Sequence, residues 1–278
     1  MKTTPNISII ISTYNSVEWL KKTLWSYEFQ TVSDFEIVIA DDGSGEETKR
    51  CIEAFHERTK IPMIHVWQED DGFQKSRILN KAILACNSDY ILMSDGDCIA
   101  KSDFLEQHLK YREKDHFLSG GYFKLPLDIS QQISREDIEK EHCFDIDWLK
   151  ERGLKTSFKN TKLTAKGLTA DLLNNITPTN ASWNGHNASG WKKDILSVNG
   201  FDERMQYGGQ DRELGERLIN MGLKSKQIRY SALCLHLDHP RGYKTEETLT
   251  KNAAIRRNTR KKRYAYTYYG IKKGDDLE

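Results

Sequence analysis

Residues 7–15 read Ile7-Ser8-Ile9-Ile10-Ile11-Ser12-Thr13-Tyr14-Asn15. An aliphatic run of strand length stops at small polar residues and one aromatic ring. The same figure recurs at Phe35–Ile39, Met63–Val66 and Tyr90–Met93, so the runs start at 7, 35, 63 and 90. Between them lie apolar stripes at helical spacing: Val17, Leu20 and Leu24; Cys51, Ile52 and Phe55; Ile78, Leu79, Ala82 and Ile83. Asn15 or Ser16, Ser44 and Ser76 stand where N-caps would. Strand–helix alternation at this period predicts right-handed βαβ units and a mostly parallel α/β sheet with flanking helices. Ligands of such sheets sit beyond the carboxyl ends of the strands. The four loops there should therefore share one crevice.

Those loops are Ser12–Asn15, Asp41-Asp42-Gly43-Ser44, Gln68-Glu69-Asp70-Asp71 and Ser94-Asp95-Gly96-Asp97. They bring many carboxylates, one aromatic ring and very few cations. Crowded like charges are costly without a cation, and oxygen ligands suit Mg²⁺ or Mn²⁺. A dinucleotide site is excluded, because the first loop lacks the glycines that let a backbone approach a pyrophosphate.

Further along, Ser102 should cap a helix carrying Phe104, Leu105 and Leu109. His116–Leu125 reads as a strand interrupted at Gly120-Gly121, and residues 128–182 as irregular, polar and partly helical (Ser134 to Arg152), with variable loops over the site. A second cluster runs from Trp183 to Arg241. It contains Tyr207-Gly208-Gly209-Gln210-Asp211 ahead of a helix, Met221-Gly222 ending that helix, and a strand over Ser231–Leu237 closing on His236-Leu237-Asp238-His239-Pro240. No repeat or linker divides the chain. Residues 1–250 are expected as one domain, with a nucleotide-binding half over 1–110 and an acceptor-binding, catalytic half over 111–250. Residues 251–278 form a basic, tyrosine-rich extension.

The Ser-Thr-Tyr-Asn loop, the Asp-Asp-Gly-Ser loop and the Asp-Gly-Asp motif together resemble family 2 glycosyltransferases of the GT-A, Rossmann-like fold. Tyr-Gly-Gly-Gln-Asp resembles the Trp-Gly-Gly-Glu-Asp motif of animal β-1,4-galactosyltransferases and bacterial chondroitin polymerase. The match covers roughly residues 6–110 and 184–240. The resemblance implies a UDP-sugar donor, a saccharide acceptor and a metal-dependent, inverting transfer of a hexose or N-acetylhexosamine. The implied setting is bacterial surface polysaccharide or lipooligosaccharide synthesis. Two rival readings use the same crevice: a nucleotidyltransferase or metal phosphohydrolase, and a non-catalytic nucleotide-sugar-binding protein.

By this resemblance Thr13, Tyr14 and Asn15 border the nucleotide, with Tyr14 offering a face on which uracil stacks. Asp41 and Asp42 offer the carboxylate for the uracil N3–H, or simply form the turn. Arg77 and Lys75 are candidates for the pyrophosphate, or for an exposed helix face. Asp97 would bind the metal and Asp95 the ribose or a metal-bound water. Either His236 or His239 would complete the ligand set. Asp211 is the candidate general base, and the dipole of its helix should lower its pKa. Trp183, Asn187, Tyr207, Gly209 and Gln210 are candidates for sugar and acceptor contacts, core packing explaining the aromatics equally well, and Gln210 stands where the family has Glu.

The chain holds 42 Lys+Arg and 41 Asp+Glu in 278 residues, a net +1. That balance disfavours a nucleic-acid binder. It hides an asymmetry: residues 251–278 carry nine basic and three acidic residues, leaving 33 and 38 in the rest, or −5. An acidic body with a basic, aromatic tail suits contact with an anionic membrane, where a lipid-linked acceptor would lie. Five cysteines without a C-x-x-C pair indicate neither a disulfide framework nor a zinc site. With no apolar leader visible, the sequence points to the cytoplasm, with peripheral contact at the inner face of the membrane.

Overall fold

The computed structural model describes residues 4–239 and 244–273. Its first half alternates as the spacing predicts: β1 (Ser8–Thr13), α1 (Val17–Glu28), β2 (Glu36–Asp41), α2 (Glu46–Thr59), β3 (Met63–Trp67), α3 (Lys75–Ala85) and β4 (Tyr90–Asp95). Then follow β5 (Cys98–Ala100), α4 (Phe104–Tyr111), β6 (His116–Ser119) and β7 (Gly121–Lys124). Short helices cross the middle: α5 (Leu127–Gln132), α6 (Arg135–Glu139), α7 (Ile146–Glu151), α8 (Thr161–Thr164) and α9 (Gly167–Ile176). The last part runs β8 (Ala188–Trp191), α10 (Lys192–Ser197), α11 (Gln210–Asn220), β9 (Lys224–Gln227), β10 (Leu233–His236) and α12 (Glu246–Lys262).

Seven strands form one sheet in the order β3-β2-β1-β4-β8-β6-β9, and only β8 runs against the rest. The two-residue period of a strand divides the core between its faces. Ile7, Ile9 and Ile11 join Leu20 and Leu24 of α1 and Ile52 and Phe55 of α2 on one side. Ile10, Val38 and Met93 join Ile78 and Leu79 of α3 and Leu214 of α11 on the other. Each such buried aliphatic chain contributes about 1.5–3 kcal/mol. A three-stranded sheet, β5-β10-β7, sits beside the main one and covers a third apolar cluster.

The predicted strand over His116–Leu125 is two strands in different sheets. Gly120 and Gly121 make the crossing possible: a Cβ would lie 2.0 Å from Asn187 Oδ1 at the first and 2.0 Å from the Arg229 carbonyl at the second. Ser44, Ser76 and Ser102 are not caps; Gly45, Gln74 and Asp103 occupy those positions. Ser76 instead donates to the Met205 carbonyl at 2.9 Å, tying α3 to the second half.

The boundary expected at residue 250 falls inside α12, which packs on α11. Asn252 is buried and its amide Nδ2 donates to the carbonyls of Gln206, Tyr207 and Gly208 at 3.1, 3.1 and 3.0 Å. Thr259 donates to Glu213, itself in a buried ion pair with Arg217. The C-terminal segment thus braces the loop that leads to Asp211.

Candidate active site

The carboxyl ends of β1, β2 and β4 open on a cavity of about 790 Å³. The loops are fixed to one another before any ligand arrives. Asn15, with φ 44°, accepts from the Gly45 amide at 3.0 Å, and its own amide donates to Ser44 Oγ at 2.9 Å. Gly96 N donates to the Ser12 carbonyl at 2.8 Å. Gly43, at φ +99°, has Asp70 Cα 2.6 Å from where a Cβ would stand, so only glycine fits.

On the nucleotide side Thr13, Tyr14, Asn15 and Asp42 line the cavity. Tyr14 is 49% exposed, and its hydroxyl donates to Asp70 Oδ2 at 2.8 Å, which fixes the ring's tilt. Asp42 is buried, accepting from Gln68 Nε2 at 2.6 Å and from the Gln74 amide at 2.9 Å. Burial pushes its carboxyl up to about 6 despite these donors. Asp41 does not line the cavity. It accepts from the Ser44 amide at 2.8 Å and meets His65 Nε2 at 2.9 Å, so it is the turn-former of the pair.

The Asp42 shift has a stability consequence. Its folded pKa lies above the ordinary 3.8, so its favourable contribution is complete below 3.8 and lost as pH rises through about 6. Asp42→Asn should therefore unfold at a higher temperature than wild type at pH 7.5, the gap closing as pH falls from about 6 to 3.8. Thermal melts across that range check this; a lower melting temperature at pH 7.5 contradicts it.

At the phosphate side, Lys75 donates to Asp95 Oδ1 at 2.6 Å, and Ser12 Oγ donates to the same oxygen at 2.7 Å. Burial opposes ionisation of Asp95, yet the Lys75 ammonium and these bonds hold it well below the usual carboxylate range. Arg77 is a correction: it is half-buried, pairs with Asp71 at 3.2 Å and does not line the cavity. Two residues along a helix are about 200° apart, so only one of Lys75 and Arg77 can face inward. Arg77→Ala should leave donor kcat/KM within about twofold of wild type, whereas Lys75→Ala should lower it about 10²-fold, the usual cost of a donor at developing charge. Steady-state kinetics of the two variants test this, and equal losses would contradict the assignment.

Asp97 faces two imidazoles. His239 Nε2 is 2.9 Å and His236 Nε2 3.8 Å from its Oδ2, the two rings being nearly parallel. Burial opposes ionisation here too, but His239 and His236 hold the carboxyl low. Cys98 lies close enough to join the set, within 4.8 Å of Asp97 and His236 ligand atoms, but burial keeps its thiol protonated. One carboxylate with two imidazoles, and Asp95 beside them, is a mixed O/N donor set that fits Mn²⁺ better than Mg²⁺. Pro240 and Arg241, which follow the second histidine, lie outside the described residues.

Across the cavity stands Asp211, in the first turn of α11, whose N-cap is Gly209 at φ +86°. Its pKa is raised, not lowered as the dipole alone would have it. Desolvation raises it, outweighing Lys75 and a hydrogen bond from the Gly185 amide. Asp211 Oδ1 is buried with no partner. Tyr207 and Gln210 line the cavity beside it; Gln210 Oε1 accepts from Gly208 N at 3.0 Å and so steadies its own loop.

Two sugar-contact candidates are corrections. Trp183 is 0% exposed, packed against Phe117 in the core. Asn187 is buried beneath the site, donating to the Gly121 and Ala232 carbonyls and facing His108. Between them lies a residue that the sequence reading passed over. His186 lines the cavity, edge-on to Tyr122 with ring centroids 4.6 Å apart and close to His236 at 5.9 Å. Burial pushes its pKa down to about 4, and its Nε2 has no partner. Thr13 Oγ1 is a third partnerless buried atom among the residues that line the cavity. Buried polar groups are normally paired, so three orphans around one cavity mark a place for a polar ligand.

Residues 8–161 match the family model described as Glycosyl transferase family 2. An uncharacterized glycosyltransferase of Bacillus subtilis, YfnE, is 26% identical over 273 residues, spanning 89% of this chain and 68% of that protein. The chondroitin synthase of Escherichia coli is 25% identical over 285 residues, 94% of this chain but 39% of that protein. Among solved structures, the mannosyltransferase PcManGT of Pyrobaculum calidifontis, in complex with GDP-Man and Mn²⁺, matches with TM-score 0.59 and 18% identity, over 87% of this chain and 59% of that one. Residues 1–349 of S. aureus TarS, in complex with UDP-GlcNAc, match with TM-score 0.58 and 15% identity, over 86% and 60%. With the family model covering more than half of its length, the chain belongs to glycosyl transferase family 2, a glycosyltransferase on the GT-A fold.

Proposed function

We propose that the protein transfers a hexose or N-acetylhexosamine from a UDP-sugar to a saccharide hydroxyl, with inversion to a β linkage. The observation that carries this reading is Asp211, with one buried oxygen unpaired, lining the same cavity as the Lys75–Asp95 pair. Tyr14 and Asp42 hold the uracil, by stacking and by accepting its N3–H. Lys75 neutralises the pyrophosphate. Asp97, His236 and His239, with Asp95, would hold a divalent cation, which supplies charge stabilisation to the departing nucleoside diphosphate. Asp211 takes the proton of the acceptor hydroxyl as that oxygen bonds to the sugar C1 and the C1–phosphate oxygen bond breaks. A raised pKa makes it a better base for that step. Tyr207 and Gln210 border the acceptor.

The likeness to the complex with UDP-GlcNAc supports a UDP donor, the GDP-Man complex being the competing likeness, and the similarity to chondroitin synthase supports surface polysaccharide or lipooligosaccharide assembly. Membership of a glycosyltransferase family disfavours the nucleotidyltransferase, phosphohydrolase and non-catalytic readings. Among the described residues no helix is long and apolar enough to cross a membrane. We place the enzyme in the cytoplasm, at the inner face of the membrane, where a lipid-linked acceptor would be met. The C-terminal cations that face outward, Lys251, Arg257, Lys261 and Lys262, could add attraction to that surface. Calorimetry of UDP and GDP, with Mn²⁺ and with EDTA, tests the donor assignment. UDP should bind at least ~10-fold more tightly in Mn²⁺, with GDP weaker; binding of neither nucleotide removes the proposal.

A further inference from the structure

We propose that the outward face of α9 is a docking surface for an anionic lipid bilayer. α9 is amphipathic the wrong way round for a helix lying on a protein. Two of its polar residues face inward: Asn174 donates to Ser231 Oγ at 2.8 Å and accepts from the Tyr230 amide at 2.9 Å, and Asp171 accepts from the Tyr111 hydroxyl. Its large apolar residues face out. Leu168 is 88%, Leu172 57% and Ile176 61% exposed, spaced i, i+4 and i+8 along one stripe. A surface helix normally buries such a stripe. The 3-10 turn ahead of α8 adds Phe158, 84% exposed. Single exposed apolar residues need no explanation, but an ordered row of them marks an interaction surface.

The charge around the row selects its partner. Residues 153–176 contain four lysines, at 155, 159, 162 and 166, and one acid, Asp171, which is turned inward. Lys155, Lys159 and Lys166 are exposed. Apolar side chains that insert, flanked by cations that reach headgroups, are the composition of an interfacial helix on anionic lipid. A second copy of the chain fits less well, because a symmetric contact would set these lysines against their own equivalents. The surface also connects to the cavity. Lys162, on α8 directly before α9, donates to the Tyr122 carbonyl at 3.0 Å and lies over its ring, and Tyr122 lines the cavity beside His186. A bilayer held against α9 would thus stand one short helix from the acceptor side. The inference does not require any particular donor or reaction.

The test is sedimentation of the full chain with vesicles of phosphatidylcholine, with and without phosphatidylglycerol. Wild type should bind only the phosphatidylglycerol vesicles. Leu168→Gln/Leu172→Gln/Ile176→Gln should bind them at least ~10-fold more weakly, and Lys155→Glu/Lys159→Glu/Lys166→Glu should lose the preference for anionic lipid. Circular dichroism melts and UDP binding should match wild type in both, showing that they fold. Lys251→Glu/Arg257→Glu/Lys261→Glu on α12 should weaken binding less than either. Binding by the glutamine variant equal to wild type overturns the proposal. So does a loss that follows the α12 variant alone, or a wild-type dimer in sedimentation velocity that the glutamine variant turns into a monomer without change in vesicle binding.

Discussion

Asp211→Asn should lower kcat by about 10³–10⁴-fold, near the upper range for loss of a general base, while UDP binding in Mn²⁺ stays within about threefold of wild type. The substitution keeps the shape of the side chain and its bond from the Gly185 amide. It removes the lone pair that accepts the hydroxyl proton and relieves a buried charge, so the variant should fold at least as well as wild type. The split between turnover and binding distinguishes a base from a structural helix residue. In wild type the acidic limb of kcat/KM should lie above the usual carboxylate range, because desolvation raises the Asp211 pKa and activity appears only as the group ionises. Retained turnover in the asparagine variant would reject the assignment.

Asp97→Ala should abolish the Mn²⁺-dependent part of UDP binding and lower turnover by at least ~10³-fold, since several kcal/mol of leaving-group stabilisation would go with the cation. His236 and His239 would remain without the carboxylate that now faces both. Calorimetry with and without EDTA separates this from unfolding: UDP should bind equally weakly in both conditions. A tenfold response to Mn²⁺ persisting in the variant would contradict the ligand set.

The nucleotide-binding half was legible because the strand and helix periods of residues 7–95 are clean, and a parallel sheet sends every strand-end loop to one edge. What the sequence could not resolve was direction. Asp41 and Asp42 are neighbours, and consecutive residues leaving a strand face opposite ways; only Asp42 turns into the cavity. Trp183 and His186 sit in one loop, but the aromatic ring packs in the core and the histidine, not singled out at first, lines the site. Nothing in a single sequence separates a core tryptophan from one that would stack on a sugar. The dipole argument for Asp211 named a real force but not the larger one, because burial depends on residues far away in the chain. α12 carries the chain straight through the boundary expected at residue 250. A signal was present: Asn252 and Thr259 are seven residues apart, two turns on one face, as befits a helix with a partner.

Inverting, metal-dependent transfer from a UDP-sugar is decided by ¹H NMR of the product formed from α-linked UDP-hexoses and UDP-N-acetylhexosamines in Mn²⁺, with water or added saccharides as acceptor. At least one donor should be cleaved, EDTA should stop the reaction, and the sugar should first be released or linked as the β anomer. Cleavage of no donor, or an α product, would contradict it.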